Sequence, residues 1–330
     1  MKPNNKILFF AYGPHYFHKA IADYLKCEYS DILDYKKSNS YKVIAYFINS
    51  ILGNYQKYST FLCEGTFLIP SLFKYLPIKR FKKNIINISA DPSFYYYIIR
   101  RTNFLKRILF KKALRKVDLF ICVGEMVSKF LRQIFPNAKY IIIYPYIEEE
   151  RYKKLLYITP KNLSNHNILF ISNGPDWYYK GLDLIIDSFK EIRKEFHDSK
   201  LFILGHWDDK IKEKFKSDGV FFLGYKKVEE FIPECSLYLH TGRGEVFSVS
   251  TLEALLGGLP AIVSEFTGVK EIIKELNENF VVPLDREKIA KKVIEYFNLS
   301  LEEKIRLSNR AKELGARFTK DNLRILSVLL

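Results

Sequence analysis

Short, wholly apolar runs that stop at turn residues constrain this chain more than any other feature. In the first half they are KILFFAYG (residues 6–13), STFLCEG around Cys63, NIINISADP through Asp91, LFICVGE ending at Glu125 and the start of KYIIIYPYIEEERYKK (139–154). In the second half they are NILFISNG (167–174), LFILG (201–205), VFFLG (220–224), CSLYLH ending at His240 and AIVSE (261–265). Runs this short and this continuously apolar read as strands buried on both faces. Between them lie helical patterns such as KGLDLIIDSFKEIRKEF from Lys180. Doubly buried strands alternating with helices predict an α/β chain built from parallel, doubly wound sheets.

At 330 residues the chain has room for two such domains, each with its own core. The polar segment TPKNLSNHN (159–167) separates the halves, so the boundary is expected between about Tyr146 and Asn165, with domains at 1–155 and 156–308. The end, LSNRAKELGARFTKDNLRILSVLL (307–330), reads as helical with a break near Gly315. Met1 to Lys6 is polar, so no secretory leader is expected. No apolar run approaches the ~18–20 residues that span a bilayer. Cys27, Cys63, Cys122 and Cys235 have no CxxC or Cys/His spacing and read as small buried residues in a reducing cytoplasm.

The net charge of +16 is carried unevenly. Residues 1–157 hold 27 Lys and Arg against 11 Asp and Glu, whereas residues 158–330 hold 26 of each sign. The first half therefore calls for an anionic partner and the second does not. Within it, RRTNFLKRILFKKALRKV (100–117) repeats Phe104, Leu105, Ile108, Leu109, Ala113, Leu114 and Val117 at helical spacing, which predicts one apolar face, packed on a core if the basic face is merely solvated. Arg100, Arg101, Lys106, Arg107, Lys111 and Lys112 fill the rest without an acidic residue, and Lys79 to Lys83 adds a second basic cluster. Such a face suits an anionic membrane surface, where each Lys or Arg contributes roughly 1 kcal/mol. No helix-turn-helix, zinc-finger or RNA-recognition pattern accompanies the charge, which speaks against nucleic acid.

The chemistry concentrates between His240 and Glu271, HTGRGEVFSVSTLEALLGGLPAIVSEFTGVKE. Glu245 stands in a loop after a strand, and Glu253 follows in a helix. Ser250 and Glu253 fit a capping box, Gly257 and Gly258 stop the helix before Pro260, and Thr267 with Gly268 opens the next one. Helix N-termini beside strand ends attract anions, because their first N–H groups lack partners. A carboxylate in that crevice repels phosphate and suits hydroxyls, so the pattern points to a ligand carrying both phosphate and sugar. Lys180, before another helix start, opposes the helix dipole by ~0.3–1 kcal/mol, a placement that makes sense if it reaches an anion. His15 and His18 follow the first strand, which has a lone Gly13 rather than a GxGxxG fingerprint. Asp91 ends its strand at the edge where open α/β sheets bind ligands.

These residues resemble the donor-binding half of the retaining glycosyltransferases of family four, which have the GT-B fold: two Rossmann-like domains facing a central cleft. The resemblance runs from about Asn167 to Ile273 through NILFISNG, YKGLDLIIDSF, LFILG, VFFLGY and above all GEVFSVSTLEALLGGLPAIVSEFTGVKEII, which carries the E-x7-E signature. In the first half, YPYIEEERY looks like the family's interdomain segment. The resemblance implies that Glu245 contacts the transferred sugar, Glu253 the ribose, and the backbone at Val246, Phe247 and Ser248 the sugar and phosphate. Lys180 would neutralise the diphosphate, the loop after Gly224 would border the base, and residues 309–330 would cross back to the first domain. Three positions depart from the family: Asn173 stands where an arginine is common, with Arg243 as a substitute from another direction. Gly13 is alone in the first loop, and Asp91 replaces a histidine.

The resulting expectation is transfer of a sugar from a nucleotide diphosphate-sugar to a hydroxyl of a lipid-linked or glycan acceptor, with retention and without a metal. Glu245 and Asp91 are the candidate catalytic residues. The donor side comprises Lys180, Glu253, Asn173, Arg243, Val246, Phe247, Ser248, Gly224 and Gly13. The acceptor and membrane side comprises His15 and the basic face of residues 100–112. The expected location is cytoplasmic, peripheral on the inner face of the cell membrane. A nucleotide-sugar epimerase of the same fold and a non-catalytic membrane scaffold are the alternatives.

Overall fold

Ile7–Ala11 (β1), Thr60–Glu64 (β3) and Asn84–Ser89 (β4) bury nearly all their side chains, as continuous apolar runs do when both faces of a sheet are covered. The computed structural model describes residues 6–11, 15–31, 57–65, 68–79, 82–89, 104–173 and 176–329. With Glu28–Asp31 (β2), Leu119–Cys122 (β5) and Tyr140–Ile142 (β6), these strands form a six-stranded sheet, ordered β2-β1-β3-β4-β5-β6 with every pair parallel. Tyr16–Tyr24 (α1) buries Phe17 and Ile21, and Glu125–Ile134 (α3) buries Val127, Phe130 and Leu131. Asn87, buried in β4, donates from Nδ2 to the carbonyls of Cys63 (3.1 Å) and Gly65 (2.9 Å), which fastens the carboxyl end of β3.

The second sheet contains Asn167–Ile171 (β7), Lys200–Leu204 (β8), Val220–Gly224 (β9), Leu237–His240 (β10), Ala261–Ser264 (β11) and Val281–Val282 (β12). Its order is β12-β11-β10-β7-β8-β9, again with every pair parallel. Leu182–Glu195 (α5) and Arg286–Phe297 (α8) pack together through Ile185, Phe189, Ile192, Ile289 and Val293. In each sheet the chain first builds outward on one side of its first strand and then returns to the other. The reversals fall between β1 and β3 and between β7 and β10, and crevices at the carboxyl ends of such strands are where open α/β sheets bind ligands.

The chain divides into residues 1–145 with 321–330, and residues 146–320. The division falls at the start of the expected interval, 146–165, because Glu149–Leu156 (α4) packs with the second group, against Val249–Leu256 (α6), and buries Leu155. The break expected near Gly315 is present: Leu301–Ala316 (α9) ends one residue later with Arg317 as its C-cap, and a 3-10 helix follows over Lys320–Leu329. A Cβ at Gly315 would lie 2.3 Å from Leu256 N, so the glycine also serves the close approach of α9 to α6. The helix expected over 100–117 is described as Phe104–Leu114 (α2), and of its apolar face only Ala113 and Leu114 are buried. Phe104 and Leu105 are 66% and 70% exposed, and Ile108 and Leu109 are exposed too. The four cysteines are free, and burial pushes the Cys27 and Cys122 thiols up to about 12.

Candidate active site

The reversal between β7 and β10 brings the loop after His240 against the start of α5. Gly181, at φ +73°, caps α5, and a Cβ on it would lie 2.0 Å from the Thr241 carbonyl oxygen. Thr241 Oγ1 donates to Gly181 O at 2.8 Å. Lys180 is thereby set beside the loop, with Nζ 3.5 Å from Glu245 Oε2. On its other side Glu245 Oε2 lies 3.0 Å from His240 Nε2. The loop is pinned along its backbone as well: Gly268 N–H donates to Glu245 O at 2.9 Å, Ser264 Oγ donates to Gly242 O, and Tyr179 OH donates to Gly244 O.

Burial alone would raise the Glu245 carboxyl, but the charges of His240 and Lys180 beside it prevail and hold it down at about 2. The side chain is therefore an anion at neutral pH, set between Lys180 and His240 in the loop that follows β10.

The helix after this loop starts differently from the expected capping box. Ser248 is the N-cap of α6, accepting from Thr251 N at 3.3 Å and from Thr251 Oγ1 at 2.9 Å, while Ser250 pairs with Tyr238 OH at 2.9 Å. With Val249 as the first helical residue, Glu253 lies beyond the third position and cannot reach back to the cap. It is instead 7% exposed, with Oε1 2.9 Å from Arg151 Nη1. Burial raises the Glu253 carboxyl above its ordinary value, against the pull of Arg151. The helix after β11, Lys270–Leu276 (α7), starts later than expected as well, so Thr267 and Gly268 belong to the preceding turn. A Cβ at Gly268 would stand 1.7 Å from Val246 O, which explains a glycine there.

Val246 and Phe247 are buried beside Ser248. Arg243, expected as a phosphate ligand, has another occupation: its two terminal nitrogens donate to both oxygens of Asp183 at 2.7 Å, and Nη1 donates to Tyr178 O. That bidentate pair clamps the loop to α5. Asn173 Nδ2 donates to Tyr225 OH at 3.3 Å, and the Tyr225 ring stacks on His206 at 6.1 Å, at the carboxyl ends of β7, β8 and β9. Gly224, at φ +69°, faces open space beside them.

In the other group of residues, His15 caps α1, and its ring stands 5.2 Å from that of His18. His18 Nδ1 lies 3.1 Å from Glu64 Oε1, at the reversal between β1 and β3. Burial, with the charge of His18, lowers the His15 pKa. Gly13, Asp91, Arg100 and Arg101 lie outside the described residues. Lys106 falls on α2, where Lys111 and Lys112 are exposed and Arg107 is half-buried. Among the described residues no group of three or more His, Cys, Asp or Glu could hold a metal ion. Sequence reasoning gave no role to His240, Arg151 or Glu64. The position of His240 at the end of a strand could have singled it out. Arg151 stands 102 residues from its partner and offered no such signal.

Residues 157–314 match the family model described as "Glycosyl transferases group 1". The chain is 26% identical over 232 residues to an uncharacterized glycosyltransferase of Methanocaldococcus jannaschii, covering 67% of this chain and 61% of that one. It is 26% identical over 165 residues to lipopolysaccharide glucosyltransferase WaaG of Escherichia coli, covering 47% and 42%. The chain thus spans less than two thirds of the length of these curated relatives. Among solved structures, it superposes on Anabaena HepE in complex with UDP and glucose with TM-score 0.70 at 15% identity, covering 98% of this chain and 99% of that one. WaaG gives 0.71 at 15% identity, with the same coverage. The fold is accordingly that of the GT-B glycosyltransferases, an α/β fold with two parallel six-stranded sheets.

Proposed function

We propose, from a second unit that matches the glycosyl transferases group 1 family, that the chain is a retaining glycosyltransferase moving a hexose from a nucleotide diphosphate-sugar to an acceptor hydroxyl. The observation that carries this reading is the ionised Glu245, held between Lys180 and His240 at the reversal of the second sheet. Departure of the diphosphate builds negative charge on its oxygens. Lys180 and the N-terminus of α6 supply positive charge where that charge develops, so they stabilise the transition state more than the ground state. We assign the counter-charge to these groups and not to a metal ion. Glu245 faces the sugar, where an anion favours an oxocarbenium-like centre and accepts from hydroxyls. Attack on the face that the leaving group occupies then retains configuration, the departing phosphate taking the acceptor's proton. Glu253 takes the ribose hydroxyls, and Tyr225 with Asn173 borders the base. Similarity to glycosyltransferases favours neither the epimerase nor the scaffold alternative.

Screening nucleotide sugars for thermal protection tests the donor site. UDP-glucose is the first probe, since the HepE structure was determined with UDP and glucose. At a hundred times its dissociation constant a donor adds about 2.7 kcal/mol to stability, and an upward shift of several degrees is expected. The reading fails if no nucleotide sugar moves the midpoint at millimolar concentration.

For the acceptor we propose a lipid-linked or glycan molecule reached at an anionic membrane, with the chain peripheral on its inner face. Support comes from α2, whose exposed Phe104, Leu105, Ile108 and Leu109 accompany exposed Lys111 and Lys112. Tyr75, Leu76 and Ile78 continue the exposed apolar surface, as Tyr75 OH donates to Lys112 O at 3.0 Å and Lys116 Nζ lies 4.6 Å from the Tyr75 ring centre. Apolar side chains ringed by lysines suit the headgroup boundary of an anionic bilayer. No helix among the described residues is long and apolar enough to cross a membrane. Sedimentation with phosphatidylglycerol vesicles should recover the chain, phosphatidylcholine vesicles should not, and Phe104→Ser with Leu105→Ser should release it. Equal recovery on both vesicles, or none on either, defeats this surface.

A further inference from the structure

Lys180 and His240 flank the same carboxylate oxygen but differ in freedom. Lys180 approaches Glu245 Oε2 at 3.5 Å from a flexible stem, with its side chain 26% exposed. His240 is 1% exposed, with its ring 6.4 Å from that of Tyr238 at an interplanar angle of 8° and 6.2 Å from that of Phe170. Both ring nitrogens and Glu245 Oε2 are buried without a hydrogen bond among the described residues, and Nε2 stands 3.0 Å from that oxygen, so each is the nearest group able to satisfy the other. A Cβ at Gly242 would stand 3.1 Å from His240 Nε2 and 3.6 Å from Glu245 Oε2, so the backbone closes over the pair. The imidazole cannot leave the carboxylate, whereas the ammonium can.

A donor carrying two phosphates attracts Lys180 more strongly than one carboxylate does. Once the ammonium turns to the diphosphate, Glu245 keeps only His240 beside its Oε2 while staying largely buried. A carboxylate in that position without a donor beside it takes up a proton or turns toward solvent. Either outcome removes it from the reacting sugar.

On the glycosyltransferase reading given above, we infer that His240 is a positioning residue that keeps the Glu245 carboxylate in place while Lys180 serves the donor's diphosphate. Its Nε2 offers a donor to Oε2 from a ring whose orientation is set by packing. Positioning of this kind acts on the chemical step and leaves the nucleotide contacts alone, since His240 faces Glu245 and not the phosphates.

The test uses the full chain with His240→Leu, which removes the donor at similar volume, and His240→Gln, whose amide nitrogen can take the place of Nε2. UDP affinity is measured by calorimetry. kcat and KM are measured on the nucleotide sugar that the thermal screen returns, beginning with UDP-glucose. His240→Leu is expected to lower kcat on the order of 100-fold, the scale of a misplaced reacting group, with UDP affinity within about threefold. His240→Gln should regain most of that loss through its donated hydrogen bond. If the leucine variant does not fold, His240→Asn takes its part, its amide being too short to reach Oε2. The role is overturned if kcat of the donor-less variant stays within about threefold of wild type, if UDP affinity falls in parallel with kcat, or if glutamine performs no better than leucine. A wild-type chain that binds no nucleotide sugar overturns the transferase reading and this role with it. A wild type that turns over as fast as its His240→Leu variant overturns the role alone.

Discussion

Exchanging Glu245 for glutamine is expected to lower turnover on the order of a thousandfold, the scale of a lost preorganised charge at a reacting centre, while nucleotide affinity stays within a few-fold of wild type. The substitution keeps shape and volume and removes the charge proposed above to face the sugar. Lys180 is then released from its carboxylate partner, so binding of UDP itself should hold or improve. Stability supplies a second readout. A carboxyl held at about 2 against an ordinary 4.5 contributes stability that is fully present above the ordinary value and is lost as pH falls from about 4.5 toward 2. Glutamine should therefore flatten the acid limb of the stability curve. Unchanged turnover in Glu245→Gln would remove the reading of this loop as catalytic, whatever the nucleotide affinity. A loss of both turnover and UDP binding would instead make Glu245 a structural support for the donor pocket.

Gly181→Ala should be strongly destabilising for so small a change. At φ +73° a side chain costs ~1–2 kcal/mol, and the added Cβ would stand 2.0 Å from the Thr241 carbonyl oxygen and 2.8 Å from Thr241 Oγ1. Backbone must move, which carries the effect to roughly 3–4 kcal/mol and lowers the melting midpoint by about 10 °C. Because the displaced groups hold Lys180 on one side and the Glu245 loop on the other, donor affinity should fall as well. Gly224→Ala is the matched comparison. Its φ of +69° imposes similar strain, yet its Cβ would enter open space. If the two alanines cost the same, the collision with Thr241 plays no part in fixing the loop.

Local signals in the sequence were reliable where the structure depends on near neighbours. Continuous apolar runs became parallel strands, buried in the sheet interiors and half-exposed at the edge strands β6 and β9. The spacing of Glu245, Lys180 and the glycines placed these residues around one reversal of one sheet. Errors arose where the deciding partner was remote or where two local choices competed. Ser248 and Ser250 both suit a cap, and Glu253 three residues on favours Ser250. The helix starts two residues earlier than that choice allows, with Ser248 as its cap and Ser250 paired with Tyr238. Gly315 does mark the end of its helix, at Ala316, but the close approach to the backbone of Leu256 that also demands a glycine there has no local sign. The apolar spacing of α2 was sound, but spacing alone does not tell a face packed on a core from one left exposed. The pairs Arg151–Glu253 and His18–Glu64 join distant stretches, and no local pattern announces them.

The strand order of the second sheet also fixes when the site can exist. β7, β8 and β9 are neighbours in sequence as well as in space, so they can assemble while β10 is still absent. β10 pairs with β7 across roughly seventy residues, a closure that contact-order arguments place among the slow ones. Lys180 follows β7 and Glu245 follows β10, so neither can meet the other until that closure is made. The anchor for Glu245 comes later still, from the N–H of Gly268 beyond β11. A nascent chain therefore holds β7, β8 and β9 before Lys180 and Glu245 have met, and the loop around Glu245 is complete only after β11 has followed β10.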